Sequence, residues 1–524
     1  MFEDFNLKQK DKYYLIFIII FSSILVGYYI NFNNNLGVAC SDVYVYLTNA
    51  LYFAGKGINS TKDLYLSPMI CFITSIFFRL GFVSETTIYI VTGGFAVFGN
   101  VGFYLFMKRF FDEDLSLTGT IIYSSLTLYL TWLANGTLDI PAIAMTMWIA
   151  LFSIMAIKDN PKYYLYTLLF IVLGFFTRYT VILTIPALLL YYVHAKGFKI
   201  ESEDWKYIKK GLIIGIIILA ILIGVVLIMG QGSFGVANQI SHGITGTQGS
   251  NGDPAYNTDS GYYLKNLPNF ISNSHTYFDG NPVLDNPSPL SWAVIAILII
   301  GMGLWLYDNR RKPTKSDIFP LIFFILAVLS FGRISSVATT IFVLIGLYLM
   351  GRNSDNKNEY FMLAWIFSNF IFYSYFSIKV NRYILPIYPG IIYFVLLSID
   401  TIHKHVKINK KVIPIILIAL FMFQAFAFTF TFEPTHEYTQ TEEISHYIID
   451  NNPDYENMDI GAYNMRPYRW WLGENVIGIF SWDYKSIDSS NVTYYISNQI
   501  QNNLTNYTKV NQIHDLYLYE KTNA

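Results

Sequence analysis

Charge is what this chain has least of. Only 14% of its 524 residues are Asp, Glu, Lys or Arg, while 53% are hydrophobic; a soluble protein carries about a quarter charged residues. Cysteine is nearly absent. Cys40 and Cys71 are the only two, which is no disulfide framework, and two free thiols are expected. The sequence has no Gly-rich phosphate loop, no zinc spacing of Cys and His and no serine-hydrolase elbow, so those chemistries lose their usual carriers. No internal repeat is visible, unlike many transporters built from repeated halves. Net charge −1 says little about partners, and no nucleic-acid partner is expected. The long apolar runs also lack Lys and Arg, and that absence sets the topology.

Apolar runs of about 17–25 residues can each cross a bilayer as a helix. Thirteen are predicted: 13–31, 86–107, 115–133, 138–157, 162–177, 179–193, 211–230, 290–307, 318–331, 334–350, 359–378, 383–400 and 412–431. Of the 35 Lys and Arg residues, 22 fall in seven short segments on one side of this arrangement and 13 on the other. Basic residues stay on the cytoplasmic side of short loops. The expectation is therefore an all-α multi-pass protein of the cell membrane, with a cytoplasmic N-terminus and an extracytoplasmic C-terminus. The first run is followed by Asn-rich sequence rather than a small-residue cleavage site, so it reads as an anchor.

Two domains are expected, a transmembrane domain over 1–431 and a small soluble domain over 432–524. Outer loops span 32–85 and 231–289. Within the first, Asp42–Ala54 and Ser67–Leu80 are amphipathic stretches suited to the membrane interface. The second is rich in Gly, Asn and Ser and reads as a mobile loop, a gate over any site beneath it. In the tail, Glu442–Asn451 reads as a helix, and DIGAY, VIGIF, VTYYIS and LYLYE as short strands of an α/β unit. Trp470, Trp471 and Trp482 are expected to fill its core.

Ionisable groups at the edge of a membrane span are expensive and usually have a task. Asp42, Asp139, Arg178, Lys379 and Arg382 come from distant parts of the chain, yet the topology brings all five to the outer membrane face. Arg suits bidentate phosphate contact and Lys a point-charge contact. A carboxylate can take the proton from an attacking hydroxyl. Each residue alone has a plainer reading. Asp139 precedes Ile-Pro, a good helix start with a capping side chain. Lys379 and Arg382 can snorkel to the interface. Asp42 can be a solvated loop residue. Arg178 is harder to dismiss, because a short connection between apolar helices gains little from it.

At these positions the chain resembles the polyprenyl-phosphate-dependent GT-C glycosyltransferases, nearest the branch of protein O-mannosyltransferases and lipid A aminoarabinose transferases. Four segments carry the resemblance: CSDVYVYLTNALYFAGKG with LYLSPMICFITSIFFRLGF, NGTLDIPAIAMTMWIAL, GFFTRYTVILTIPALLLYY and KVNRYILPIYPGIIYF. The mannosyltransferases carry Asp-Glu in the first loop, where Asp42 is followed here by Val43. Their Gly–basic–Pro segment often has Lys where Arg178 stands. The resemblance implies transfer of a sugar from a polyprenyl (dolichyl-type) monophosphate to a protein, lipid or glycan acceptor on the extracytoplasmic face, with inversion. It implies Asp42 as base, Asp139 as orienting acid, and Arg178, Lys379 and Arg382 as phosphate ligands. Tyr46, Tyr262, Tyr263, His275 and Tyr383 are candidate substrate contacts. No cofactor is implied, and a divalent metal is not indicated. The alternative is a transporter or lipid flippase with an outward-facing charged site; a membrane scaffold is a third reading.

Overall fold

The computed structural model describes Phe5 and residues 7–38, 40–56, 67–228, 256–273, 287–310, 318–352, 354–406, 408–431 and 437–522. Every one of the thirteen predicted stretches is largely helical. Among the described residues, six helical segments are long and apolar enough to cross a membrane: Gln9–Leu36, Glu85–Met107, Asp139–Lys158, Tyr179–Lys196, Pro289–Asp308 and Asn381–His405. Several others, including Ile318–Ser330, Ser336–Gly351 and Val412–Ala427, are shorter apolar helices. Thirteen full spans are thus a finer statement than these helices carry.

The early helices build the bundle. They are α1 (Gln9–Leu36), α2 (Ser41–Ala54), α3 (Met69–Arg79), α4 (Glu85–Met107), α5 (Glu113–Ser124), α6 (Thr127–Thr131), α7 (Asp139–Lys158), α8 (Tyr164–Thr177), α9 (Ile185–Lys196) and α10 (Ser202–Ile228). Helix α7 is apolar on all sides and 94% of its most apolar window is buried, whereas for Pro289–Asp308 the figure is 17%. In lipid, apolar character alone does not separate the two environments; close packing of small residues does. Gly99 of α4 shows this, since a Cβ there would lie 2.7 Å from the Ala144 Cβ of α7. The predicted helix 115–133 is interrupted. Helix α5 starts where the Asp112 carboxylate accepts from the Leu115 amide at 2.9 Å and ends at Ser124, and α6 begins anew at Thr127.

The two amphipathic stretches are α2 and α3. Arg79 closes them together by donating to the Phe53 carbonyl at 2.6 Å. Helix α3 buries Ile70, Cys71 and Phe78 and exposes Phe72, Ile76 and Phe77, an apolar outer face. Both cysteines are buried and neither is in a disulfide. Burial pushes the Cys71 thiol up to about 12.

After the helix Glu437–Asn451 comes a five-stranded sheet of order β2-β1-β3-β5-β4. Strands β1 (Ile460–Ala462), β2 (Val476–Gly478) and β3 (Tyr494–Ser497) pair in parallel around β1. Strand β5 (Leu516–Lys521) runs antiparallel to β3 and to the edge strand β4 (Tyr507–Ile513). Ile444 and Ile448 of the helix pack with Ile460, Leu472, Ile496 and Leu518 in one apolar core. The tryptophans divide differently from expectation. Trp471 borders this core, Trp482 is 72% exposed, and Trp470 packs instead with the α2–α3 cluster. Trp482 lies in the turn beyond the short edge strand Val476–Gly478 and stacks on Phe480 at 5.4 Å.

Candidate active site

Four of the five ionisable residues singled out in the sequence meet at one end of the bundle. Three are delivered at or beside irregular backbone and the fourth, Asp42, by a helix start. Asp139 opens α7 after a turn in which Ala134 (φ 52) and Gly136 (φ 86) are left-handed. Glycine is required at 136 on two counts, because a Cβ there would also meet Val43 Cγ1 of α2 at 2.6 Å. Arg178 is the extended residue (φ −159, ψ 128) between α8 and a 3₁₀ turn at Tyr179–Thr184. Arg382 lies in a second 3₁₀ stretch, Asn381–Ile387. Asp42 sits in the first turn of α2.

The side chains form an alternating chain of charge. Arg178 Nη1 lies 2.7 Å from Asp139 Oδ1. Arg382 bridges the two carboxylates, with Nε 3.5 Å from Asp139 Oδ2 and Nη2 3.2 Å from Asp42 Oδ2. Its Nη1 also donates to Cys40 Sγ at 3.2 Å. The far oxygen of Asp42 is held by Arg466 Nη1 at 3.0 Å. Asp139 is 5% exposed and Arg382 7%. Two arginines would not be kept out of water at this cost without carboxylate partners or a ligand. Among the described residues, Asp139 Oδ2 and Arg382 Nε make no hydrogen bond besides this 3.5 Å ion pair with each other.

Aromatic rings line the arginines. Arg178 stands 5.3 Å and Arg382 6.0 Å from the Tyr383 ring centre, and Tyr383 stacks on Tyr373 at 5.3 Å. Arg382 also lies 4.8 Å from the Trp132 ring, whose Nε1 is fixed by Asn381 Oδ1 at 3.0 Å. Such faces attract guanidinium charge and limit its rotation. A small, partly open pocket adjoins Asp139 and Arg178 and is lined by Thr180, Thr184, Asn369 and Tyr373.

Three plainer readings can now be judged. Asp139 does not cap its helix, since no side chain caps that N-terminus; its carboxylate turns to the arginines. Arg382 does not snorkel, being buried. Asp42 is no free loop residue. The fifth residue, Lys379, lies outside the ion-pair chain. It is 1% exposed and donates to the Ser374 carbonyl at 2.7 Å and to the Phe376 carbonyl, closing the turn before Asn381.

The aromatic contacts divide likewise. Tyr383 is in the site. Tyr46 is buried within electrostatic reach of Asp42, Arg178 and Arg382. Tyr262 and Tyr263 are buried, and the Tyr263 hydroxyl donates to the Val380 carbonyl at 3.0 Å. Tyr263, with Lys379 5.8 Å from its ring centre, thus braces the Lys379–Arg382 segment. His275 lies outside the described residues, as does most of the loop read as a gate. Its described part is pinned, with the Asn257 amide donating to the Ser377 carbonyl at 2.7 Å. Among the described residues, no group of three His, Cys, Asp or Glu side chains gathers to hold a metal.

Arg466 was not visible in the sequence as a site residue. It is the second residue of the helix Met465–Leu472, in a tail without a readable motif.

Comparison with known proteins bears on the same residues. Residues 66–224, which include Asp139 and Arg178, match the family described as dolichyl-phosphate-mannose-protein mannosyltransferase. The fold is similar to that of ArnT from Cupriavidus metallidurans bound to undecaprenyl phosphate. The TM-score is 0.61 over 96% of this chain and 97% of that one, at 10% sequence identity. It is also similar to the archaeal oligosaccharyltransferase AglB from Archaeoglobus fulgidus in complex with an inhibitory peptide and a dolichol-phosphate. Here the TM-score is 0.50 over 93% of this chain and 70% of that one, at 9% identity. No curated protein matches the chain in sequence.

Proposed function

We propose that this chain, which has the GT-C fold of glycosyltransferases that use polyprenyl-phosphate donors, transfers a sugar from a polyprenyl monophosphate to an acceptor hydroxyl at the extracytoplasmic face. The observation that carries this reading is the ion-paired chain Arg178–Asp139–Arg382–Asp42, with Asp139 and Arg382 buried at its centre. It joins two cations that suit a phosphate to two carboxylates that suit a hydroxyl and a sugar. The matched family and the lipid phosphates bound by the two similar structures support the same substrate class.

The chemistry is a single displacement. The acceptor oxygen attacks the anomeric carbon, the bond from that carbon to the phosphate oxygen breaks, and polyprenyl monophosphate leaves. Asp42 receives the acceptor proton. Attack opposite the leaving phosphate inverts the anomeric centre. Negative charge grows on the phosphate as the bond breaks, so fixed guanidinium groups favour the transition state over the ground state. Arg178 and Arg382 supply them, held in place by Asp139 and by the Tyr383 and Trp132 rings. Asp139 also orients the sugar or the acceptor. Lys379 acts by shaping the turn that presents Arg382.

The transmembrane part over 1–431 holds this site and the domain over 432–524 lies outside the cell membrane, with the N-terminus inside. The donor lipid lies between helices at the bilayer surface. A transporter would place polar groups near the bilayer midplane on broken helices. Here they gather at one end. Removing the protein from its host should leave the lipid-linked sugar to accumulate and a surface glycan to disappear. An unchanged pool of both would refute the assignment.

A further inference from the structure

Asp42 is held from both sides, and only one of its partners belongs to the membrane bundle. Arg382 takes Oδ2 and Arg466 takes Oδ1. Arg466 Nη1 also reaches Ser41 Oγ at 3.5 Å. Its helix is anchored beside it. Trp470 donates from Nε1 to Glu85 Oε1 of α4 at 2.5 Å and packs on Phe78 of α3 at 6.0 Å between ring centres. Within the soluble unit the same helix buries Tyr468 and Leu472. The guanidinium is therefore fixed by two sets of contacts, one into the sheet core and one onto α3 and α4.

The two arginines cannot have one role. A donor phosphate competes for Arg382, whose guanidinium also faces Asp139. Any shift of Arg382 toward phosphate releases Asp42 Oδ2, the oxygen a base needs. A carboxylate with one anchor removed would swing about its Cβ–Cγ bond. Arg466 approaches the other oxygen from the opposite, soluble side.

We propose that Arg466 is a positioning residue for the transfer reaction: the C-terminal domain reaches into the site and holds Asp42 Oδ1, so that Oδ2 faces the acceptor once the donor phosphate has engaged Arg382. The domain then completes the catalytic site. This rests on the assignment of Asp42 as base. The consequence is a split between the two arginines. Losing Arg382 weakens donor use as well as turnover, and losing Arg466 slows turnover alone.

The experiment measures kcat and donor KM for the full chain in lipid, using a polyprenyl-phosphate-linked sugar that supports turnover. Arg466→Ala should lower kcat about tenfold or more with donor KM within a factor of about two, a loss confined to the transition state. Arg466→Lys should recover part of it, because one donor remains while the fork is lost. Trp470→Phe removes the hydrogen bond to Glu85 but keeps Arg466, and should lower thermal stability while leaving the kinetic split of the wild type. Asp42→Asn/Arg466→Ala should be no slower than Asp42→Asn, since Arg466 acts through Asp42. Equal damage from Trp470→Phe and Arg466→Ala would reduce Arg466 to a docking contact and overturn the proposal. So would additive losses in the double variant. If Asp42→Asn alone keeps full activity, the base assignment fails and the proposal with it. If Asp42→Asn is inactive and Arg466→Ala is normal, only the proposal fails.

Discussion

Replacing Arg178 by alanine separates catalysis from architecture. Its Nη1 lies 2.7 Å from Asp139 Oδ1, and Asp139 is 5% exposed. Breaking a buried pair by removing one partner typically costs about 3–5 kcal/mol, because a charge is left uncompensated. Asp139 is not wholly orphaned here, since Arg382 Nε remains 3.5 Å from its other oxygen. The stability loss should therefore fall at or below about 3 kcal/mol, within what a large membrane protein tolerates. The catalytic loss has a separate origin. A fixed donor aimed at developing charge contributes about 2.7–4 kcal/mol, so turnover per folded molecule should fall by roughly 10²–10³. Arg178→Lys keeps the charge but not the fork and should recover only part. The assay is transfer of labelled sugar from polyprenyl phosphate by purified protein in lipid, with thermal unfolding run in parallel to normalise for folded protein. A variant that unfolds early yet turns over at the wild-type rate per folded molecule would make Arg178 a structural residue and refute the reasoning.

Other perturbations follow from the same geometry. Arg382→Ala should slow transfer by about a hundredfold or more and weaken donor binding, read from the donor KM. Asp42→Asn should lower kcat by about 10²–10⁴ with donor binding nearly intact, whereas Asp139→Asn, which caps nothing, should show a strong loss on chemistry. Cys71, buried and with its thiol pushed up to about 12, should resist maleimide at pH 7 in the folded protein and react on denaturation; rapid labelling when folded would contradict the α2–α3 packing. Cysteines introduced over 197–209 should be shielded from an impermeant thiol reagent and those over 485–510 labelled, and the reverse pattern would invert the topology.

The long helices were legible because lipid demands continuous apolar runs, and period and length suffice to find them. The finer breaks were not. The interruption between Ser124 and Thr127 and the 3₁₀ turn at Tyr179–Thr184 lie inside largely apolar sequence, where composition carries little punctuation. Asp42, Asp139, Arg178 and Arg382 stood out because ionised groups are rare beside such runs. Lys379 stood out for the same reason and is used differently, because charge marks a position without giving the direction of its side chain. Strand β4 escaped notice because its sequence, YTKVNQI, is mostly polar and exposed, as suits a sheet edge with a lysine. Arg466 escaped because arginine is ordinary in a soluble segment. The packing of its helix on α2, together with the docking of Trp470 on α3 and α4, brings it to Asp42.

The central claim is tested most directly by the fate of the donor. Vesicles containing the purified protein and a labelled polyprenyl-phosphate sugar, given acceptor, should release unglycosylated polyprenyl monophosphate one for one with sugar joined to acceptor, the anomeric configuration inverted. Recovery of the lipid-linked sugar intact on the opposite leaflet, with no free polyprenyl phosphate, would contradict the account and identify a flippase.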